Sequence, residues 1–99
     1  MTDVEVIPFD TDLGYPQKQM VIINEIAYTV YYRWNPEDGG FAVLKILRNL
    51  DNVVVCNSRI GELTPVAAKD PITKIMQFMA FPYLVTSSKC EVWVFYGDD

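Results

Sequence analysis

Residues 20–47 read MVIINEIAYTVYYRWNPEDGGFAVLKIL, and this stretch decides the fold. Ile26, Tyr28, Val30, Tyr32 and Trp34 alternate with Ala27, Thr29, Tyr31 and Arg33. A period of two marks a strand with one face turned to a core. Upstream, the apolar run Met20 to Ile23 leads into Asn24-Glu25, which reads as a two-residue hairpin turn. Asn suits the first position of a type I′ turn, and Gly is preferred at the second. Glu25 there must take positive φ, at a cost of about 1–2 kcal/mol; a longer loop with another register is the alternative. With the tight turn, Ile23 faces Ile26 and Val21 faces Tyr28. Both pairs then fall on the Tyr28-Val30-Tyr32 face, so pattern and register agree. Downstream, Asn35-Pro36-Glu37-Asp38-Gly39-Gly40 is the strongest turn signal in the chain. Phe41 to Leu47 follows as a strand, residues 49–52 turn the chain again, and Val53 to Ser58 returns. The reading is an antiparallel meander of at least four strands over residues 17–59.

The flanks are shorter elements. Val4 to Phe9 is a short strand ending in Pro8-Phe9, where the proline marks an edge or the strand's end. Residues 10–16 (DTDLGYP) form a loop. Asp10 and Asp12 begin like a calcium loop, but the later ligands and the closing Glu are missing. Residues 61–82 are irregular. Within them Asp70-Pro71 is a helix-start pair, and Ile72, Ile75, Met76 and Met79 recur at helical spacing. This predicts a short helix over 71–79 that stops before Pro82; a loop with an irregular strand is the rival. A hairpin over 83–96 closes the chain, with Cys90 to Tyr96 as its last strand. The expected fold is all-β: one domain over residues 1–99, a small antiparallel β-sandwich or partly open barrel built on the meander.

Bulk properties narrow the function. Ninety-nine residues make one core. The thirteen acids and eight bases give a net charge of −5, and the bases are scattered, so nucleic acid is not the expected partner. No apolar run approaches the roughly 18 residues of a membrane span. The acidic start MTDVEVIPFD lacks the basic residues of a signal peptide, so the chain is expected to be made in a cytoplasm. Cys56 and Cys90 then read as free, small apolar core residues.

Histidine is absent, which removes the commonest general base and metal ligand. No glycine-rich loop follows a strand and opens a helix. Glu37 and Asp38 are adjacent acids in a turn, and Glu91 opens a strand; neither arrangement makes a paired, buried carboxylate site. No catalytic, cofactor or metal residue is assigned, and an enzyme is not expected. What stands out is a surplus of apolar surface. Ala42, Leu44 and Ile46 form one face of a strand, yet Phe41, Val43 and Leu47 form the other. Trp93 and Phe95 likewise oppose Val92, Val94 and Tyr96. Either residues 61–82 cover the second set or another protein does. Aromatic residues are preferred interface anchors, so the candidate protein interface comprises Tyr31, Arg33, Phe41, Val43 and Trp93.

The order of these features resembles the baseplate plug proteins of contractile-tailed phages. The likeness lies in a short first strand ending Val6-Ile7-Pro8 and an apolar strand, Met20 to Ile23, entering a tight turn at Asn24. The alternating strand Tyr28-Thr29-Val30-Tyr31-Tyr32-Arg33-Trp34-Asn35 and the start Gly40-Phe41-Ala42-Val43-Leu44 continue it. The aromatic-rich Val92-Trp93-Val94-Phe95-Tyr96 completes it. Glu25 stands where the family commonly has Gly, and Phe41 where it often has Trp. The resemblance implies a virion structural protein of prophage or phage origin, located in the tail baseplate near the hub, spike and tube. It would help seal the central channel by contact with other tail proteins or by self-association, with no cofactor, no nucleic acid and no membrane. The alternative is a stand-alone β-barrel module that binds a peptide or small ligand.

Overall fold

The computed structural model describes residues 2–97. Strands β1 (Thr2–Ile7), β2 (Gln17–Ile23), β3 (Ile26–Asn35), β4 (Phe41–Arg48), β5 (Val53–Ile60), β6 (Val66–Lys69), β7 (Met76–Val85) and β8 (Cys90–Gly97) form two antiparallel four-stranded sheets. One sheet is the meander, in the order β2-β3-β4-β5, and the other has the order β1-β8-β7-β6. The chain changes sheet twice, between β1 and β2 and between β5 and β6. The second sheet therefore unites the two ends of the chain: β1 pairs with β8 from Thr2 opposite Gly97 to Ile7 opposite Val92.

The sheets pack face to face as a sandwich. Tyr28, Val30 and Tyr32 of β3 and Ala42, Leu44 and Ile46 of β4 line the inner face of the meander sheet. Ile7, Ala68, Phe78, Ala80, Val92 and Val94 line the inner face of the other. Phe78 meets the Tyr28 ring edge-on at 5.2 Å across the sheet interface. Tyr32 carries its polar end into the core but donates a 2.9 Å hydrogen bond to the carbonyl of Pro8, so the hydroxyl is satisfied. Phe9, Tyr15 and Trp34 close this end of the core with tilted and edge contacts around Tyr32.

The β2–β3 hairpin has the tight turn. Asn24 and Glu25 have φ of 51° and 67°, and Ile23 faces Ile26 while Val21 faces Tyr28. At the next turn Glu37–Gly39 form a short 3-10 segment. Gly40, with φ of 93°, lies so close to Trp34 that a Cβ there would stand 2.4 Å from the indole ring.

Residues 71–79 are not helical. Asp70 does cap a turn: its carboxylate accepts from the amides of Ile72 at 2.8 Å and Thr73 at 3.1 Å, and its carbonyl accepts from Lys74 at 2.9 Å. Lys74 then takes a φ of 66°, the turn ends, and β7 begins at Met76. The helical spacing misleads because the residues that define it point outward. Ile72 is 84% exposed and Ile75 62%, while Phe78, Ala80 and Pro82 bury with the period of a strand. Pro82 is tolerated inside β7 because it lies beyond the last β6 pair, Val66 with Ala80, and at a bulge against β8. Its carbonyl is used by Leu63, whose amide donates at 2.7 Å. The segment 61–82 thus supplies β6 and most of β7, and these residues build a layer of the core.

Candidate functional site: two outer sheet faces

A two-layer sandwich leaves two outer faces, and here they differ in chemistry. On the β1-β8-β7-β6 sheet, register places Val4, Phe95, Met79 and Ala67 in one cross-strand row. Val6, Trp93 and Phe81 form the next. No residue of either row is charged. Phe81 meets Phe95 edge-on at 6.3 Å, and Tyr83 stacks on Trp93 at 5.7 Å. Trp93 donates through Nε1 to Glu91 at 2.7 Å, which fixes the indole flat against its neighbours. Val4 (47% exposed), Val6 (52%) and Tyr83 (54%) are open to solvent at the margins. Side chains of such size in two uncharged rows, with Glu91 at the margin held by Trp93, are what protein interfaces bury.

The outer face of the meander sheet is of another kind. Lys18 on β2 lies opposite Tyr31 on β3, which lies opposite Lys45 on β4, which lies opposite Asn57 on β5. In the neighbouring row Arg33 faces Val43, which faces Arg59. Strands β2 to β5 contain no Asp or Glu. Among the described residues, Lys18, Arg33, Lys45 and Arg59 make no ion pair. Two of them rest on aromatic rings instead: the Lys45 ammonium lies 5.5 Å from the Tyr31 centroid and the Arg59 guanidinium 4.2 Å from that of Phe41. An open groove of about 550 Å³ is lined by Lys18, Tyr31, Arg33, Val43, Lys45 and Asn57, with Pro16 and Gln17 at one end; Arg59 stands outside it, one strand beyond Val43. The 10–16 loop holds that end in place through Gln17, whose amide donates to the carbonyls of Asp10 and Gly14 at 2.7 Å each and accepts from the Asp10 amide at 2.9 Å.

The five residues singled out from sequence therefore divide. Tyr31, Arg33, Phe41 and Val43 share the meander face, whereas Trp93 belongs to the opposite sheet and faces away from them. Sequence reasoning missed Lys18, Lys45 and Arg59 on one side, and Val4, Val6, Met79, Phe81 and Tyr83 on the other. It also read the bases as scattered, and the fold gathers four of them. The available signal was parity: Lys18, Arg33 and Lys45 stand out of phase with the buried residues of their own strands, whereas in β5 a bulge buries both Val55 and Cys56, and Arg59 is out of phase only with Cys56 and Ile60. The remaining cation of the meander sheet, Arg48, is occupied elsewhere. It pairs with Asp51 at 2.8 Å and with Asp70 at 2.7 Å, which ties the end of β4 to the turn after β6.

Comparison of the chain with protein-family models, with curated proteins and with solved structures finds no match in any of the three.

Proposed function

We propose that this protein is a non-enzymatic structural component of a phage tail baseplate, of the plug type, which acts by binding neighbouring tail proteins. The observation that carries the protein-binding part is the pair of uncharged apolar rows built from Val4, Val6, Met79, Phe81, Trp93 and Phe95. Exposed apolar sheet surface costs solubility, and assembly proteins retain it because a neighbour covers it. The tail-baseplate part rests on the order of sequence features from Val6-Ile7-Pro8 to Tyr96. In this reading the chain is made in a bacterial cytoplasm and ends in the virion, near hub, spike and tube, without nucleic acid, membrane or cofactor.

The test is reconstitution. The chain is mixed with hub, spike and tube proteins of a contractile tail encoded beside it, and the mass of the mixture is measured in solution. A stable complex is expected, and Phe81→Ser with Trp93→Ser should abolish it. A chain that stays monomeric beside all of these proteins defeats the baseplate reading. The groove on the opposite sheet favours a second reading, a peptide- or ligand-binding module; binding of a peptide alone, with no tail protein engaged, would support it.

A further inference from the structure

The four cations of the meander face follow a pattern. Each strand contributes one: Lys18 from β2, Arg33 from β3, Lys45 from β4 and Arg59 from β5. They alternate between two neighbouring rows, so the charges form a zigzag that crosses the sheet. Three strand spacings make it roughly 14 Å long, the reach of about four extended residues. We propose that this face is the docking site for an acidic segment of a partner protein, laid across the four strands with carboxylates on Lys18, Arg33, Lys45 and Arg59.

Charge complementarity carries the argument. The chain has a net charge of −5, yet these side chains meet no carboxylate on their own sheet. Like charges with no carboxylate partner among the described residues repel one another, and an anionic occupant relieves that repulsion. Successive side chains of an extended acidic run project alternately to either side, which matches the two rows. Arg33 and Arg59 offer forks for bidentate carboxylate contacts. Tyr31 and Val43 floor the groove between the charges and give the segment's backbone and stems an apolar contact. A polynucleotide fits less well. The ring faces of Tyr31 and Phe41 are engaged by Lys45 and Arg59 and do not await a base. Moreover, a long phosphate chain meets the negative remainder of the molecule, whereas a short segment stays within a screening length of the cations. This inference is independent of the baseplate reading, since it uses the other sheet and needs no tail protein.

The experiment is an amide chemical-shift titration of the whole chain with an octapeptide of glutamate, in parallel with an octamer of thymidylate, at about 20 mM salt. The peptide is expected to shift amides around Lys18, Tyr31, Arg33, Val43, Lys45 and Arg59 saturably, and more tightly than the oligonucleotide. Arg33→Gln combined with Lys45→Gln should weaken peptide binding by about tenfold or more. Trp93→Ser should leave it unchanged. Absence of shifts, shifts centred on other strands, equal or tighter binding of the oligonucleotide, or full affinity in the doubly substituted chain would each overturn the proposal. The titration of the unsubstituted chain decides location and preference even if the substituted chain fails to fold.

Discussion

At the scale of single residues, backbone conformation makes the sharpest demands. Glu25 occupies a left-handed position, φ 67°, that a side chain enters at a cost of about 1–2 kcal/mol. Glu25→Gly relieves this, partly offset by the greater entropy of an unfolded glycine, so urea denaturation should show a gain of about 0.5–1 kcal/mol. An unchanged or lower midpoint would count against a strained type I′ turn. Gly40 is the opposite case. A methyl group there meets the ring of Trp34, which is itself packed against Tyr15 at 5.6 Å. Gly40→Ala should therefore cost about 1–3 kcal/mol through overpacking alone, read by the same measurement. Cys56 and Cys90 are free and buried, and burial pushes both thiols up to about 11. Both should resist iodoacetamide at about pH 8 in the native protein and react after denaturation, since the thiolate is the nucleophile. Their shift is upward from about 8.5, so the stability they contribute is intact below that pH and declines as pH rises toward 11.

At the scale of elements, the turn after β6 shows how one residue serves two structures. Asp70 caps the turn through Oδ1 and holds Arg48 through Oδ2. The Arg48 hydrogen bond first, and the Thr73 and Ile72 amides next, hold its carboxyl down to about 2. An unfolded aspartate titrates near 4, so the folded value is the lower one. Stability from Asp70 is then complete above about pH 4 and is lost as pH falls toward 2. Asp70→Asn should lower the melting temperature at neutral pH, and the gap from the unsubstituted chain should close as pH approaches 2. A gap that persists unchanged at acid pH would mean that the carboxylate charge is not what Asp70 contributes. The same turn explains why residues 71–79 read as a helix. Asp70-Pro71 is a true capping signal, and it governs one turn. Beyond it, Phe78 and Ala80 obtain more burial as alternate residues of a strand facing Tyr28 than one side of a two-turn helix would provide.

At the scale of the molecule, the two sheets turn different surfaces to solvent. One is mainly apolar and aromatic, and the other is cationic on a chain that is acidic in sum. The two are separated by the thickness of the sandwich, so substitutions in one should not disturb the other. Phe81→Ser and Trp93→Ser remove partly exposed side chains. If the proposed role holds, the pair should abolish binding of a tail-protein partner, while far-UV circular dichroism and the melting curve show a folded sandwich. Loss of fold along with binding would mean that these rings belong to the core.

The chain by itself determined the meander. Alternation from Ile26 to Trp34, the Asn24-Glu25 turn and the Asn35–Gly40 turn set strand, face and register, because those are local and have a period of two. It also determined that apolar residues exceed what one core layer covers. The partner sheet was only partly legible. Strand β6 is four residues long, and β7 carries a proline and follows a capping signal. Their pairing depends on β8 and on the Arg48–Asp70 bridge, contacts between residues distant in sequence. Which outward residues share a surface was decided by tertiary structure alone. Lys18, Arg33, Lys45 and Arg59 are far apart along the chain, and only antiparallel register sets them side by side. Trp93 resembles Tyr31 in pattern, yet the sheet it joins turns it to the opposite side of the molecule.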